Sequence, residues 1–291
     1  MKYRDLIFDL YGTLVDIHTE ETRYVWEHTA LYFGFYGARY TPEELENAFR
    51  DAMKKREAAA GQSYECFPDI PFEQVMAQLF REKGVEENAD ALGVHAAQLF
   101  RILSIEYLKL YPGVPEALAF LREKGHRLWL LSNAQQVFTA YELRHLGLGD
   151  QLDGIYLSSD FQCRKPDLRF YRALLEEQKL DVANCLMIGN DRETDIAGAK
   201  RAGMDTLYMH TNLTPAQQAA STVTRAFGCM ALIIKALETT QISVQRPISS
   251  TDSRCSSFAS ASISSTEPKV GLSMTGLFVT SRAGEISHPS V

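Results

Sequence analysis

Cysteine is scarce in this chain, and its few positions form no paired motif. Five cysteines occur among the 291 residues, and no two of them stand in a CxxC spacing. An odd and scattered set argues against a disulfide framework or a zinc site. We therefore expect a protein of a reducing compartment, the cytoplasm.

Long apolar runs and a surplus of positive charge are also missing. No stretch approaches the roughly 20 apolar residues that cross a bilayer, and the N-terminal residues MKYRDLIFDL lack the apolar core of a signal peptide. A net charge of −7 argues against general nucleic-acid binding. The expected partner is a small anionic molecule, without nucleic acid or membrane, because a local site can be positive within an acidic protein. A monomer and a homodimer are both compatible with the sequence.

What is present is a change of pattern along the chain. A short apolar strand is predicted over residues 4–9, and helical spacing then prevails from Asp16 to Lys109. After that, strands and helices alternate, which predicts a parallel sheet with helices on both faces. The predicted fold class is therefore α/β, a doubly wound parallel-sheet core with an inserted all-helical domain. The predicted divisions are residues 1–16 and 110–238 for the core and 17–109 for the insertion.

The C-terminal part has a different composition. From about Thr239 the chain is rich in Ser and Thr and contains little that can form a core. Residues 239–291 are therefore expected to be a disordered tail.

Polar residues follow the predicted core strands directly. In doubly wound sheets, ligands bind at the carboxyl ends of the strands, so these residues are candidates for a site. They fall into four groups: Asp9, Tyr11, Gly12 and Thr13; Ser132, Asn133 and Ala134; Arg164 and Lys165; and Asn190, Asp191 and Asp195. Taken singly, each group also has a structural explanation, such as a turn or a helix cap.

Taken in this order, the four groups resemble the motifs of the haloacid dehalogenase (HAD) superfamily of hydrolases. The matching stretches are FDLYGT, LLSNA, RKPD and IGNDRETD, and the helical insertion resembles the cap domain of that superfamily. The resemblance implies a Rossmann-like core and covalent catalysis by an aspartate. Asp9 would form an aspartyl intermediate that water then hydrolyses, with Ser132 and Asn133 at the phosphoryl oxygens and Lys165 as the balancing cation.

The resemblance also implies a Mg²⁺ site and a substrate site. Asn190 stands where phosphatases of the superfamily carry their first acidic ligand, so Asp191 would have to substitute. Tyr11 and Thr13 would complete the catalytic group. The metal ligands would be Asp9, the backbone carbonyl of Tyr11, Asn190, Asp191 and Asp195. The substrate-binding residues would be Gly12, Asn133, Ala134 and Arg164.

Two features point to different reactions. Phosphatases of the superfamily usually have a second aspartate two residues after the nucleophile, whereas this chain has Tyr11, as L-2-haloacid dehalogenases commonly do. Tyr171, six residues after Lys165, also matches dehalogenases, and Arg50 is a candidate for their halide-binding arginine. By contrast, the acidic cluster around Asp191 needs a cation between its carboxylates, which favours Mg²⁺ and phosphoryl transfer.

The acidic cluster carries more weight than Tyr11, because a missing general acid only slows a reaction that has a good leaving group. The expected function is a Mg²⁺-dependent phosphatase acting on a small phosphorylated metabolite. The alternative is a metal-independent L-2-haloacid dehalogenase, and a third candidate is a non-catalytic binding module. His18 is a candidate for replacing the acid. The aromatic run at 32–40 fits substrate contact or, more simply, internal packing.

Overall fold

Five of the described strands form one parallel sheet, and the candidate site lies at the carboxyl ends of these strands. The structure is a computed structural model that describes residues 2–61 and 66–215. Within these residues the strands are β1 (Asp5–Phe8), β2 (Val15–Thr19), β3 (Ile105–Leu110), β4 (Arg127–Ser132), β5 (Gly154–Leu157), β6 (Cys185–Gly189) and β7 (Asp205–Tyr208). The sheet has the order β5-β4-β1-β6-β7, and its neighbouring strands are all parallel.

Helices connect and cover these strands. In the described residues the α-helices are α1 (Arg23–Phe35), α2 (Pro42–Ala60), α3 (Phe72–Glu82), α4 (Ala89–Ser104), α5 (Val114–Glu123), α6 (Gln136–His145), α7 (Ser158–Phe161), α8 (Leu168–Glu177) and α9 (Gly198–Arg201). A π-helical segment, Arg192–Ala197, runs directly into α9. No helix in this part of the chain combines the length and the apolarity needed to cross a bilayer.

The central sheet is buried on both faces. Alternate residues of a strand point to opposite faces, so Leu6 and Phe8 of β1 join one hydrophobic cluster. Ile7 joins a second cluster with Trp129 and Leu131 of β4. A strand with two buried faces is apolar throughout, which explains the continuous apolar run in β1. The predicted α/β doubly wound parallel sheet is confirmed.

β1 lies at the middle of the sheet, with β4 on one side and β6 on the other. The direction in which the sheet grows along the chain reverses at this point. Such a switch point leaves a crevice at the carboxyl ends of the strands, where ligands bind. Asp9, the first residue after β1, therefore stands at the crevice.

Helices α1 to α4 form a layer with its own hydrophobic core, referred to below as the cap. Its buried cluster includes Trp26 and Phe100. Phe33 stacks on Phe80 with ring centroids 3.9 Å apart. Part of the aromatic run at 32–40 therefore packs inside the cap, in agreement with the simpler interpretation of that run.

The prediction of an all-helical insertion is wrong, because a β-strand lies at each end of the insertion. β2 and β3 pair as an antiparallel ribbon, with Val15 opposite Leu110 and Ile17 opposite Leu108. Polar and apolar residues alternate from Val15 to His18 in β2, but the two halves of the pair stand at opposite ends of the cap sequence. The predicted boundaries at residues 16 and 110 therefore fall inside the ribbon.

Two predictions for the C-terminal region, the end of the core and the Ser/Thr-rich tail, cannot be compared with the structure. The Ser/Thr-rich tail at 239–291 and the last part of the predicted core lie outside the described residues.

Candidate active site

Asp9, the candidate nucleophile, lies at the carboxyl end of the central strand. Its backbone N–H donates to the Ile188 carbonyl of β6 at 2.9 Å, which extends the sheet by one residue. The chain then turns at Gly12, which has a φ of +85°. A Cβ at this position would overlap the side chain of Asn190. Glycine satisfies both the backbone conformation and the close approach.

A buried lysine joins two carboxylates at the centre of the site. Lys165 Nζ donates to Asp9 Oδ1 at 2.8 Å and to Asp195 Oδ1 at 2.6 Å. Its side chain is 1% exposed. Burial alone would lower the pKa of the Lys165 ammonium, but the carboxylates of Asp195 and Asp9 raise it above its usual value. Lys165 is therefore a fixed cation beside the candidate nucleophile.

Asn133 holds the backbone of Lys165. Asn133 Nδ2 donates to the Lys165 carbonyl at 3.0 Å, and the Lys165 N–H donates to Asn133 Oδ1 at 2.7 Å. This reciprocal pair ties the loop after β4 to the loop before α8. Asn133, predicted to bind substrate, has its amide committed to positioning Lys165.

Two hydroxyl groups contact the Asp9 carboxylate. Ser132 Oγ donates to Asp9 Oδ1 at 3.2 Å, and Thr13 Oγ1 donates to Asp9 Oδ2 at 3.4 Å. Oδ1 thus accepts from a cation and from a hydroxyl. Among the described hydrogen bonds, Oδ2 has only the long contact with Thr13. The less engaged oxygen is the one suited to attack an electrophile or to bind a cation.

Asp195 is engaged at both of its carboxylate oxygens. Oδ1 accepts from Lys165, and Oδ2 accepts from the Asp191 backbone N–H at 2.9 Å. Burial raises the pKa of Asp195, Lys165 opposes this shift, and the charge of Asp9 adds to it. A Cβ at Gly189 would overlap this carboxylate, so glycine lets it lie against β6. The geometry fits a residue that holds Lys165 better than the predicted direct metal ligand.

Asn190 supplies an oxygen next to the nucleophile. Its Oδ1 lies 3.4 Å from the Thr13 hydroxyl that also contacts Asp9 Oδ2. Among residues 2–61 and 66–215, no group of three His, Cys, Asp or Glu side chains is arranged to hold a metal by itself. The predicted Mg²⁺ ligands Asp9, Asn190 and the Tyr11 backbone carbonyl are all oxygen donors. Such an all-oxygen donor set suits this hard cation.

Asp191 caps the π-helical segment that carries Asp195. Its Oδ1 accepts from the backbone N–H groups of Glu193 and Thr194 at 2.8 and 3.0 Å. π-Helical turns occur frequently at functional sites. Asp191 therefore orients the turn on which Asp195 lies.

The phenol of Tyr11 is hydrogen-bonded to a buried ion pair that joins helices α4 and α6. Its Oη donates to Glu142 Oε2 at 2.5 Å and lies 3.0 Å from Thr139 Oγ1, both on α6. Arg101, from cap helix α4, pairs with the same Glu142 at 2.7 Å. Burial, more than any neighbouring charge, raises the pKa of Tyr11 above its usual value. Tyr11, predicted to be catalytic, has its hydroxyl committed to these contacts.

The two further matches to dehalogenases also lie in structural contacts. Tyr171 Oη donates to the Thr194 carbonyl in the π-helical segment. Arg50 Nη2 pairs with Glu46 at 2.8 Å and with Glu21 at 3.2 Å, so its charge is balanced within the cap.

The remaining candidates lie at the margin of the site. His18 Nε2 is 3.5 Å from Glu106 Oε2 on the β2–β3 ribbon. Arg164 Nη2 is 3.8 Å from Glu57 Oε1 on cap helix α2. Ala134 is buried, and its N–H donates to a serine hydroxyl at 2.9 Å. Among the described contacts, none of these three residues is hydrogen-bonded to Asp9.

Arg101 and Glu142 are not among the residues predicted from the sequence. The available signal is a charged residue inside an amphipathic helix, with Thr139 three residues before Glu142 and hence on the same helix face. That signal does not identify the partner, because Arg101 lies far earlier in the chain. The contact exists only once the cap is folded against the core.

Comparisons with known proteins identify the family. The sequence profile of the haloacid dehalogenase-like hydrolases matches residues 4–203. A 5'-nucleotidase from Pseudomonas aeruginosa is 29% identical over 205 residues, which are 70% of this chain and 81% of that protein. A glyceraldehyde 3-phosphate phosphatase from Methanothermobacter thermautotrophicus is 29% identical over 111 residues, 38% of this chain and 49% of that protein. The structure of a 2-haloacid dehalogenase from Pseudomonas syringae aligns with 82% of this chain and 99% of its own, at 20% identity and a TM-score of 0.49.

The chain belongs to the haloacid dehalogenase-like hydrolases. The matched residues contain all four groups of candidate site residues and cover most of the chain. The chain is therefore a hydrolase, and the predicted membership of the superfamily is confirmed.

Proposed function

We propose that the chain is a Mg²⁺-dependent phosphatase that acts on a small phosphorylated metabolite through an aspartyl-phosphate intermediate. One observation carries the choice over dehalogenation: the side chains that match dehalogenases are engaged elsewhere. Tyr171 donates to the Thr194 carbonyl, and Arg50 pairs with Glu21 and Glu46. Relatives named as a 5'-nucleotidase and a glyceraldehyde 3-phosphate phosphatase support the same choice.

Asp9 is the proposed nucleophile. Its Oδ2 attacks phosphorus while the bond to the leaving group breaks, and Lys165 and Ser132 hold Oδ1. The fixed ammonium and the buried hydroxyl are already oriented, so they stabilise negative charge without reorganisation during the reaction. Water then attacks phosphorus, which releases phosphate and restores the Asp9 carboxylate.

Mg²⁺, when bound, would neutralise charge on the phosphoryl oxygens. Asp9, Asn190 and the Tyr11 backbone carbonyl would hold it, with Asp191 as a further oxygen donor. Asp195 would act through Lys165, to which it is hydrogen-bonded at 2.6 Å.

Turnover of p-nitrophenyl phosphate and of L-2-chloropropionate, each with Mg²⁺ and with excess chelator, tests this proposal. We expect phosphate release that requires Mg²⁺ and falls by about 10⁴-fold or more in Asp9→Asn. Asp150→Asn, at an exposed carboxylate on the surface, is the control and should retain activity. Chloride release that is insensitive to chelator would assign dehalogenation, to which Tyr11 points. Lack of both activities would favour a binding module.

A further inference from the structure

The side chain two residues after the nucleophile is held in place by three others. Tyr11 Oη donates to Glu142 Oε2 at 2.5 Å and lies 3.0 Å from Thr139 Oγ1. Arg101 Nε and Nη2 donate to the two oxygens of the same Glu142 carboxylate at 2.7 and 3.2 Å. Arg101 is 7% exposed and Glu142 is 3% exposed. These four residues are referred to as the Tyr11 network.

The Tyr11 network determines where the phenol proton is directed. Its acceptor is a carboxylate that also binds a buried guanidinium, and charged hydrogen bonds of this kind are short and strong. The Arg101 guanidinium also lies 5.5 Å from the centroid of the Tyr11 ring and 4.6 Å from that of Phe138. Turning the phenol toward a substrate on Asp9 would break its buried hydrogen bond to Glu142 and leave that carboxylate oxygen with fewer donors.

The groups that contact Asp9 are weak acids. Among the described hydrogen bonds, the donors to its carboxylate are Lys165, Ser132 and Thr13. The Lys165 ammonium is hydrogen-bonded to two carboxylates, those of Asp9 and Asp195, and the other two donors are aliphatic hydroxyl groups. Asp195, which shares Lys165, has both oxygens in hydrogen bonds. The leaving group therefore receives no proton from the described partners of Asp9.

We infer that, given the proposed phosphatase function, the substrates are phosphoryl donors whose leaving group departs as a stable anion, such as acyl phosphates and phosphates of acidic phenols or enols. In the first step the bond from Asp9 to phosphorus forms. The bond from phosphorus to the leaving oxygen breaks, and its electron pair stays on that oxygen. In the second step water attacks phosphorus, its proton ends on the released inorganic phosphate, and the Asp9 carboxylate is restored. Neither step uses an acid at position 11.

The dependence of kcat/KM on the acidity of the leaving group tests this inference. The wild-type chain with Mg²⁺ is assayed with phenyl phosphates of graded phenol acidity, with acetyl phosphate and with glycerol phosphate. We expect kcat/KM to fall steeply as the leaving group becomes less acidic, by about 10²–10⁴-fold across the set, which is the usual size of a general-acid contribution.

Two substitutions at one position separate positioning from proton transfer. Tyr11→Phe removes the hydroxyl and keeps the ring, so we expect the same steepness with a lower melting temperature. Tyr11→Asp supplies a carboxyl at this position, and we expect glycerol phosphate to gain relative to acetyl phosphate. Circular dichroism verifies that each variant is folded, and the wild-type and Tyr11→Phe series decide the question if Tyr11→Asp does not fold.

A flat dependence in the wild type, or a changed steepness in Tyr11→Phe, would overturn the inference and leave the phosphatase assignment intact. Failure to hydrolyse any of the phosphates, with Mg²⁺ present, would overturn the proposed function itself. The two failures are therefore distinguishable within one set of assays.

Discussion

Lys165 is a single buried ammonium between the carboxylates of Asp9 and Asp195. A methionine at this position would leave the two carboxylates facing each other without a cation. An uncompensated buried charge typically costs about 3–5 kcal/mol. We therefore expect Lys165→Met to lower the free energy of unfolding by about that amount. Denaturant titration in the presence of chelator measures the change without a metal that replaces the lost charge.

Asp195→Asn in the same chain is the matched comparison for Lys165→Met. It removes one of the two carboxylates that the lost ammonium had balanced. The double variant should therefore be more stable than Lys165→Met alone, which is a coupling that a double-mutant cycle detects. Simple additivity of the two changes would contradict the electrostatic explanation.

For single residues, the sequence predicts which ones come together in the site but not the direction of each side chain. Asp9, Ser132, Lys165 and Asn190 come together because the carboxyl ends of parallel strands share one edge of the sheet. The direction of Tyr11 depends on a cap arginine and a core glutamate that are distant in sequence. No local pattern reports that contact.

Gly198, the first residue of α9, directly follows the π-helical segment Arg192–Ala197 and packs closely against Tyr171 of α8. A Cβ on Gly198 would overlap the hydroxyl and the ring of Tyr171. We expect Gly198→Ala to lower the free energy of unfolding by about 1–3 kcal/mol, the usual cost of overpacking. Turnover should fall as well, because this segment carries Asp195. Denaturant titration and the phosphatase assay measure the two effects.

Adding Tyr171→Phe to Gly198→Ala tests whether overlap with the Tyr171 hydroxyl causes the loss of stability. The hydroxyl oxygen is the atom nearest to the added methyl group, so its removal should recover part of the lost stability. Gly149→Ala is the control, because a Cβ there meets no atom within 4 Å, and its effect should stay within about 0.5 kcal/mol. Equal losses at both glycines would contradict an effect caused by the contact with Tyr171.

The sequence predicts best those strands whose two faces are both buried. β1 and β6 are buried on both faces, and their apolar runs identify them directly. The β2–β3 ribbon is not predicted, because its two short strands pair across the whole cap sequence. The π-helical turn is not predicted either, and its contact with Tyr171 joins residues that are distant in sequence.

Across the whole molecule, cap and core are joined by a second buried carboxylate. Asp69, just before cap helix α3, is 4% exposed. Its Oδ2 accepts from Ser158 Oγ at 2.5 Å, and its Oδ1 accepts from Gln135 Nε2 at 2.9 Å. Ser158 and Gln135 follow the core strands β5 and β4. The position of the cap is therefore coupled to the loops that build the site.

Asp69 makes the stability of this cap contact dependent on pH. Burial raises the pKa of Asp69 to about 6, although Ser158 and Arg164 oppose the shift. An unfolded aspartate has a pKa of about 3.9, so the folded chain favours the protonated form. The stabilisation is complete below the unfolded pKa and is lost as the pH rises through the folded pKa. We expect the stability of the wild type relative to Asp69→Asn to fall by about 3 kcal/mol between about pH 4 and pH 7.

Asp167→Asn is the control, because the contribution of Asp167 to stability should change with pH in the opposite direction. Asp167 is buried and accepts from the Phe67 N–H at 3.2 Å in the same contact between cap and core. Burial alone would raise the pKa of Asp167, but hydrogen bonds from Arg169 and Phe67 hold it below its usual value. Its stabilisation is therefore lost as the pH falls. Denaturant titrations of the three chains yield both differences, in which the other titrating groups cancel. Differences that change in the same direction with pH would contradict the opposite environments of the two carboxylates.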